Sequence, residues 1–160
     1  MPASDLIRIL KNPVKFRLFL LRKLPAAFFS GVRIREMDEH HCMVTVPFKW
    51  LTQNPFRSTY FASLSMAAEM STGALAMAHI YNRSPAISML VVRVDSQYMK
   101  KATGKTRFTC NDGAALRAVI EKAVSSGEAQ SFVARSVGIN ETGETVAEFL
   151  ITWSFKVRSK

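Results

Sequence analysis

The stretch from Ser58 to Ile80 constrains the fold of this chain more than any other segment. Ala, Ser, Met, Leu and Gly dominate it, and Glu69 is its only carboxylate. A helix this apolar on every face is buried in a protein core or spans a membrane. Its hydroxyl groups and central carboxylate favour the core of a soluble domain. The predicted helix runs from about Ser58 to Tyr81 and ends before Asn82 and Pro85.

The other segments predict strands and two shorter helices. Alternating apolar residues predict a strand over Val32–Phe48, with a bend near Asp38. Asn12 and Pro13 suit the start of an amphipathic helix that ends before Pro25. The remaining elements are a strand over Ile87–Lys100, a strand in "GKTRFTCND" after a Gly104 turn, a helix capped by Asp112 and ended by Gly127, and two strands, Ser131–Asn140 and Thr145–Arg158, joined by a "NETG" hairpin. Long strands and one small-residue helix predict an α+β architecture, an antiparallel sheet wrapped around the central helix.

The predicted strand Ile87–Lys100 shows a regular alternation. One set of alternating positions is apolar, at Leu90, Val92, Val94 and Tyr98. The other set is polar, at Arg93, Asp95 and Gln97. We therefore expect this strand to have one apolar face and one polar face.

Length and composition indicate one globular domain. The chain has 160 residues, of which 48% are hydrophobic and 21% charged, enough for a single core. Its net charge of +10 favours an anionic partner, such as nucleic acid, a membrane surface or a phosphorylated small molecule. The sequence lacks a zinc finger, an aromatic RNA-binding signature and a helix-turn-helix pattern, so nucleic acid is disfavoured. Cys42 and Cys110 lie far apart in the sequence and do not have the spacing of metal ligands. We therefore predict two free thiols in a reduced, cytoplasmic protein.

Two motifs carry a resemblance to a known family. Asn54 lies fifteen positions before Glu69, and the strand after the long helix reads "VDSQYMKKATGK" from Val94 to Lys105. The phenylacetate-type acyl-CoA thioesterases have the same interval and a similar strand. The chain thus resembles the hot-dog fold, thioesterase-like superfamily, in a branch whose biochemical role is unassigned. The resemblance implies one hot-dog domain over residues 29–160, preceded by an N-terminal helical extension over residues 1–28.

The resemblance implies that Glu69 is the base or the nucleophile of thioester hydrolysis. Apolar surroundings would raise the pKa of this carboxylate. Asn54 would hold the substrate or a water molecule, and the N–H group of Phe61 or Ala62 would contact the oxyanion. Tyr60, Phe61 and Ala62 stand where these thioesterases have His-Gly-Gly, so the backbone has less room to approach a substrate.

Further substrate contacts are expected on either side of Glu69 and at a basic turn. Ser65 and Thr72 lie one helical turn before and after the carboxylate, within expected hydrogen-bonding reach of it. The basic turn corresponds to the place where related proteins meet the phosphates of coenzyme A. The expected substrate-binding residues are Tyr60, Ser65, Thr72, Lys100, Lys101 and Lys105.

Each of these roles has a structural alternative. Glu69 can instead pair with Arg93, with a lysine or with a dimer partner. Asn54 precedes Pro55, and an Asn-Pro dipeptide before a helix is ordinary turn chemistry. The three lysines can form a solvated basic turn that protects a sheet edge.

We predict a homodimer, or a dimer of dimers, that hydrolyses an acyl thioester of coenzyme A or of an acyl carrier. Coenzyme A enters as part of the substrate, and no cofactor is expected. The "HHC" sequence, His40–Cys42, lacks a spaced second ligand pair, so no metal site is predicted. The first alternative is a non-catalytic protein that binds acyl groups or acyl-CoA. The second is a protein whose basic helix before Pro25 makes peripheral contact with a membrane.

Overall fold

Five α-helices and six strands make up the part of the chain that the structure describes. This structure is a computed structural model and describes residues 2–159. In chain order the elements are α1 (Pro2–Lys11), α2 (Pro13–Lys23), α3 (Pro25–Ser30), β1 (Arg33–Met37), β2 (Cys42–Val46), α4 (Phe61–Ile80), β3 (Ile87–Tyr98), β4 (Thr106–Cys110), α5 (Gly113–Ser126), β5 (Gln130–Ile139) and β6 (Thr145–Val157). A short 3-10 helix, Trp50–Thr52, lies between β2 and α4.

The six strands form one sheet around the central helix α4. Their order is β1-β2-β4-β5-β6-β3, and every neighbouring pair is antiparallel. The helix α4 packs against β2, β4, β5 and β6, while α1 packs against α4 and β1. The predicted hot-dog arrangement, an antiparallel sheet wrapped around a long central helix, is confirmed.

The composition of α4 suits burial on nearly every side. Thirteen of its twenty residues are buried. The hydroxyl groups of Ser71 on α4 and Ser136 on β5 lie 2.7 Å apart and share a hydrogen bond. Polar groups inside this helix are therefore satisfied at the helix–sheet contact, as buried hydroxyls must be.

The predicted N-terminal helix is α2, and its start is confirmed. Asn12 Oδ1 accepts hydrogen bonds from the N–H groups of Val14 and Lys15, both at 3.1 Å. The short helices α1 and α3, which flank α2, were not predicted as separate elements. The division of the chain at residue 28 stays a prediction.

The single strand predicted over Val32–Phe48 is wrong, because the segment is a hairpin of β1 and β2. Asp38 Oδ1 accepts hydrogen bonds from the N–H groups of His40 at 2.7 Å and His41 at 2.8 Å. An aspartate that bonds the backbone two and three residues ahead closes a tight turn. His40 is therefore a turn residue and not a strand residue.

The single apolar face predicted for β3 is also wrong. A bulge between Val91 and Arg93 shifts the register of β3 against β6. One extra residue exchanges the two faces of a strand beyond the bulge. Val94 consequently pairs with the buried Ile151, while Leu90, before the bulge, lies on the opposite face.

The second half of the chain follows the prediction more closely. Asp112 precedes α5 as predicted, but its side chain does not cap the helix. Asp112 Oδ2 accepts a hydrogen bond from the N–H group of Arg135 in β5 at 2.7 Å instead. The "NETG" hairpin is confirmed, and Asn140 Oδ1 accepts hydrogen bonds from the N–H groups of Thr142 at 3.1 Å and Glu144 at 2.9 Å.

Candidate active site

Glu69 lies in the middle of α4, at the wall of a cavity of about 270 Å³. It is the only charged residue among those that line the cavity. The lining residues are Leu10, Phe16, Phe19, Leu20, Leu24, Ile34, Glu69, Met70, Gly73, Ala74, Met77, Met89 and Trp153. The cavity therefore presents one carboxylate to an otherwise apolar space.

The N-terminal helices supply one wall of this cavity. Leu10 comes from α1, and Phe16, Phe19 and Leu20 come from α2. Phe16 and Leu20 are buried there. Sequence reasoning did not connect these residues with Glu69, because helical periodicity shows which residues share a face but not what that face covers.

Gly73 and Trp153 bring the indole ring close to the carboxylate. A Cβ atom at residue 73 would lie 3.0 Å from Trp153 Cζ2 and 3.2 Å from Glu69 Oε1. A glycine at this turn of α4 therefore lets the ring and the carboxylate approach the same stretch of backbone. Trp153 Nε1 donates a hydrogen bond to Thr72 Oγ1 at 2.9 Å, which holds the ring in place.

The Glu69 carboxylate is open to solvent at the mouth of the cavity, with apolar side chains around it. Among the residues that the structure describes, none donates a hydrogen bond or forms an ion pair with it. Desolvation raises the pKa of Glu69 above its ordinary value. The alternative pairing with Arg93 is wrong, because Arg93 donates to both carboxylate oxygens of Asp95, at 2.7 and 3.0 Å.

The hydroxyl groups of Ser65 and Thr72 bond to the helix backbone rather than to the Glu69 carboxylate. Ser65 Oγ donates to the carbonyl oxygen of Phe61 at 2.9 Å. Thr72 Oγ1 donates to the carbonyl oxygen of Glu69 at 3.0 Å. Serine and threonine inside a helix readily bond the preceding turn in this way. The hydrogen bonds predicted between these two hydroxyl groups and the Glu69 carboxylate are therefore not formed, because both hydroxyl groups donate to backbone carbonyl oxygens.

A second cavity, of about 460 Å³, lies at the N-terminal end of α4. It brings together five residues predicted for the site: Asn54, Tyr60, Phe61, Lys100 and Lys101. The N–H groups of Ser63 and Leu64 bond to the carbonyl oxygen of Tyr60. Those of Phe61 and Ala62 have no acceptor within the described part of the chain. Two free N–H groups at the positive end of a helix dipole suit a negatively charged oxygen.

Asn54 shapes the loop that leads into α4. Its Oδ1 accepts hydrogen bonds from the N–H groups of Phe56 at 3.0 Å and Ser58 at 3.2 Å, and from the Ser58 hydroxyl at 3.2 Å. Its Nδ2 donates to the carbonyl oxygen of Thr59 at 3.5 Å. The acceptor side of Asn54 is therefore occupied, and one hydrogen of its amide remains for a ligand.

The three predicted lysines differ in their partners. Lys100 forms an ion pair with Glu144, and this hydrogen bond lowers the pKa of Glu144 to about 2. Lys101 and Lys105 are exposed, and neither pairs with a carboxylate among the residues described. Lys101 and Lys105 are thus the two lysines whose charge remains available for a phosphate.

The two cavities do not meet within one chain. They share no lining residue, and the N–H group of Phe61 lies about 12 Å from Glu69 along the axis of α4. Reacting groups must approach to about 3 Å. A site that uses both the carboxylate and the free N–H groups on one carbonyl therefore needs a second copy of the chain.

Solved structures with a similar fold include several thioesterases. A Pseudomonas aeruginosa protein of unknown function, described as a probable thioesterase, matches 91% of this chain and 97% of its own with a TM-score of 0.76 and 21% identity. A Haemophilus influenzae thioesterase matches 86% of this chain and 87% of its own with a TM-score of 0.62 and 14% identity. These likenesses define the class of the chain as a hot-dog fold protein with thioesterases among its structural neighbours.

A third similar structure is a Staphylococcus aureus thioesterase in which one glutamine is replaced by alanine. It matches 81% of this chain and 97% of its own with a TM-score of 0.62 and 11% identity. A second variant of the same protein replaces a glutamate that lies fifteen positions later. Both variants share the fold with this chain.

The chain belongs to the DUF4442 family, a domain of unknown function, whose model matches residues 14–155. A search of curated proteins finds no significant match. The predicted membership in an unassigned branch of the hot-dog, thioesterase-like superfamily is confirmed. Within the described residues, each helix is too short or too polar to cross a membrane.

Proposed function

We propose that this protein is an acyl thioesterase that hydrolyses the thioester of an acyl-CoA or an acyl carrier through Glu69. One observation carries the proposal: Glu69, whose carboxylate has no partner among the described residues, lies at an apolar cavity. A desolvated carboxylate without a partner costs free energy, and groups of this kind are concentrated at functional sites. The thioesterases among the structural neighbours support the same chemistry. So does the interval from Asn54 to Glu69, which equals that between the two altered positions of the Staphylococcus aureus protein.

In the proposed reaction the acyl chain occupies the cavity and the thioester carbonyl lies at Glu69. As a base, Glu69 takes a proton from water while the water oxygen attacks the carbonyl carbon. The oxyanion then collapses, the C–S bond breaks, and the proton passes to the leaving thiolate. As a nucleophile, Glu69 attacks the carbonyl carbon, the C–S bond breaks and the thiolate leaves. Water then hydrolyses the acyl–Glu69 anhydride to the free acid and the Glu69 carboxylate, and the released proton passes to the thiolate. A raised pKa makes the carboxylate a stronger base in either route.

The proposed active form is a homodimer, or a dimer of dimers, since the oxyanion contact must come from another chain. The strand β3 has twelve residues and lies at an edge of the sheet. Its side chains at Leu90, Val92 and Val94 are exposed. A long apolar edge with unpaired backbone groups pairs readily with another strand. Two copies joined along β3 would bring the free N–H groups of one α4 toward Glu69 of the other.

The second cavity is proposed to bind the carrier end of the substrate. Aromatic side chains of Tyr60, Phe61 and Tyr98 line it together with Lys101. Lys101 and the nearby Lys105 would contact phosphate groups, as compact cations do. Coenzyme A is then part of the substrate and not a cofactor.

The test is thiol release from short, medium, long and aromatic acyl-CoAs. We expect turnover by the wild type and a loss of about 100-fold or more in Glu69→Gln, which keeps the shape but removes the base. Glu128→Gln is the matched control, because Glu128 is an exposed carboxylate after α5. Equal turnover in Glu69→Gln and Glu128→Gln would contradict the proposal.

A non-catalytic acyl-CoA-binding protein is the second candidate. Phe61 and Ala62 carry side chains at the start of α4, and the Asn54 Oδ1 is occupied by the turn, which favours binding over catalysis. Calorimetry would then show acyl-CoA binding without thiol release. Glu69→Gln would bind with unchanged or higher affinity.

A further inference from the structure

The helix α2 carries a second apolar stripe on its outer face. Phe16 and Leu20 point inward and are buried, whereas Val14, Leu18 and Leu21 are 75%, 56% and 43% exposed. Residues spaced by four and three positions lie on one side of a helix. Packing on the domain explains the inward residues of α2 but leaves this outer stripe without a partner within the described part of the chain.

Cationic side chains run alongside the outer stripe. Lys15 and Arg22 project from adjacent positions of the α2 surface, and Lys11 is the last residue of α1, just before this helix. With Lys23, they have no ion-pair partner among the described residues, although Asp5 on α1 pairs with Arg8. From Leu6 to Arg35 the sequence contains eight Lys and Arg residues and no Asp or Glu. The positive charge of this surface is therefore not neutralised by its own segment.

A shallow depression joins the apolar and cationic parts of this surface. It measures about 480 Å³ and is lined by Lys15, Leu18, Phe19, Arg22 and Lys23. Exposed apolar groups lie here beside cations, and no carboxylate is among the lining residues. This combination matches the surface of an anionic bilayer, where charged headgroups lie over apolar acyl chains. Nucleic acid would leave the apolar stripe in water, and a second copy would bring the same cations against each other.

We propose that the outer face of α2 docks on an anionic lipid membrane. Val14, Leu18 and Leu21 enter the boundary between headgroups and acyl chains, and Lys15 and Arg22 contact lipid phosphates. The helix lies along the surface and does not cross it, consistent with its eleven residues. This docking does not depend on thioesterase activity.

The same helix connects the docking face with the Glu69 cavity. Phe16 and Leu20, on the inner side of α2, line that cavity, and Phe19 lines both the cavity and the outer depression. A helix with its side chains is about 10 Å across, so a docked α2 holds the cavity beside the lipid. If the proposed thioesterase activity is correct, membrane-borne acyl groups would reach Glu69 past Phe19.

The test is co-sedimentation of the full chain with vesicles of phosphatidylcholine alone or mixed with phosphatidylglycerol. We expect binding to the mixed vesicles, weak binding to the neutral ones, and weakening by added salt. The combined variant Val14→Gln, Leu18→Gln and Leu21→Gln should lower the partition coefficient by about tenfold or more. Lys15→Gln with Arg22→Gln should produce a similar loss.

The matched control is Arg117→Gln with Lys122→Gln, which removes the same charge from the exposed face of α5 and should retain binding. An equal loss in this control would overturn the proposal in favour of unspecific charge attraction. Failure of the wild type to bind mixed vesicles would overturn it as well. So would a change of oligomeric state in the apolar variant, measured by light scattering, since the stripe would then cover a second copy.

The apolar variant also separates this proposal from the thioesterase proposal. Its three residues do not line the Glu69 cavity, so hydrolysis of a short, soluble acyl-CoA should persist. Lost vesicle binding with retained hydrolysis supports the docking surface. Retained vesicle binding in both the apolar and the cationic variants would reject it whatever the enzyme assay shows.

Discussion

The two ends of the candidate site differ in their chemistry. The cavity beside Glu69 is enclosed by apolar side chains and holds one carboxylate. The cavity at the start of α4 is larger, contains lysines, and is lined by Phe61, whose N–H group has no acceptor among the described residues. The first suits an apolar acyl chain and the second suits a polar carrier. Because α4 keeps Phe61 and Glu69 about 12 Å apart, one chain carries both halves of the proposed site without joining them.

After Glu69→Gln itself, the largest expected effect comes from removing one free N–H group. Phe61→Pro deletes the N–H group at the first residue of α4, where proline is well tolerated. Tyr60 is extended there, with ψ of 136°, as a residue before proline prefers. We expect thiol release to fall by about 100-fold. Phe61→Ala keeps the N–H group and loses only the ring that lines the second cavity, so its kcat should remain close to the wild type. Equal kcat values in both variants would assign the oxyanion contact to another donor.

Mixed dimers would show whether the two halves come from different chains. A dimer of one Glu69→Gln chain and one Phe61→Pro chain has one intact site and one doubly altered site. Random pairing of co-expressed chains should therefore restore roughly a quarter of the wild-type activity. A mixture as inactive as either variant alone would contradict a site shared between copies.

Acyl-chain binding in the Glu69 cavity can be tested by truncating a side chain in its wall. The cavity of about 270 Å³ has room for about nine groups the size of a water molecule, which corresponds to a medium acyl chain. Phe19→Ala should shift the preferred acyl chain toward greater length, with kcat/KM rising about fourfold for each further methylene buried. Val14→Ala, on the outer face of α2, is the control. An unchanged chain-length profile in Phe19→Ala would place the acyl group elsewhere.

Phosphate binding at the second cavity can be tested by replacing a single lysine. Lys101→Gln should raise KM for acyl-CoA by about two- to fivefold without changing kcat, as an exposed ion pair to phosphate would contribute. A thioester of the same acyl group on a carrier without phosphates should show no such effect. Lys122→Gln on α5 controls for net charge, and an equal rise in KM for both thioesters would argue against a phosphate contact.

The smallest expected effect is on stability and depends on pH. Desolvation by the surrounding apolar side chains raises the pKa of Glu69 in the folded chain, so folding favours the protonated carboxyl. The stability gained from this protonation is fully present at pH values below the pKa of Glu69 in the unfolded chain, about 4.3. It is lost as the pH rises through the higher pKa that Glu69 has in the folded chain. Glu69→Gln should therefore raise Tm by about 2 °C at neutral pH and have little effect in acid. A lower Tm in Glu69→Gln at neutral pH would contradict the raised pKa.

The elements that sequence predicted well are those whose signals lie within a few residues. The start of α2 at Asn12 and the "NETG" hairpin follow from side chains that bond their own neighbouring backbone. The length and burial of α4 follow from its small apolar residues. The errors, at the turn around Asp38 and the bulge beside Val92, concern single residues that interrupt a strand without interrupting its hydrophobic pattern.

By itself, the sequence determined the α+β class and the central helix, because these depend on periodicity and local caps. It pointed to Glu69 and Asn54 only through the interval shared with the thioesterases that it resembles, and their roles stay predictions. Only the tertiary structure decided that α2 walls the Glu69 cavity, that Trp153 lies over Gly73, and that the carboxylate has no partner in the described part of the chain. It also decided that the two cavities are separate. The reason is physical: contacts between distant segments depend on sheet register and close packing, which no short stretch of sequence encodes alone.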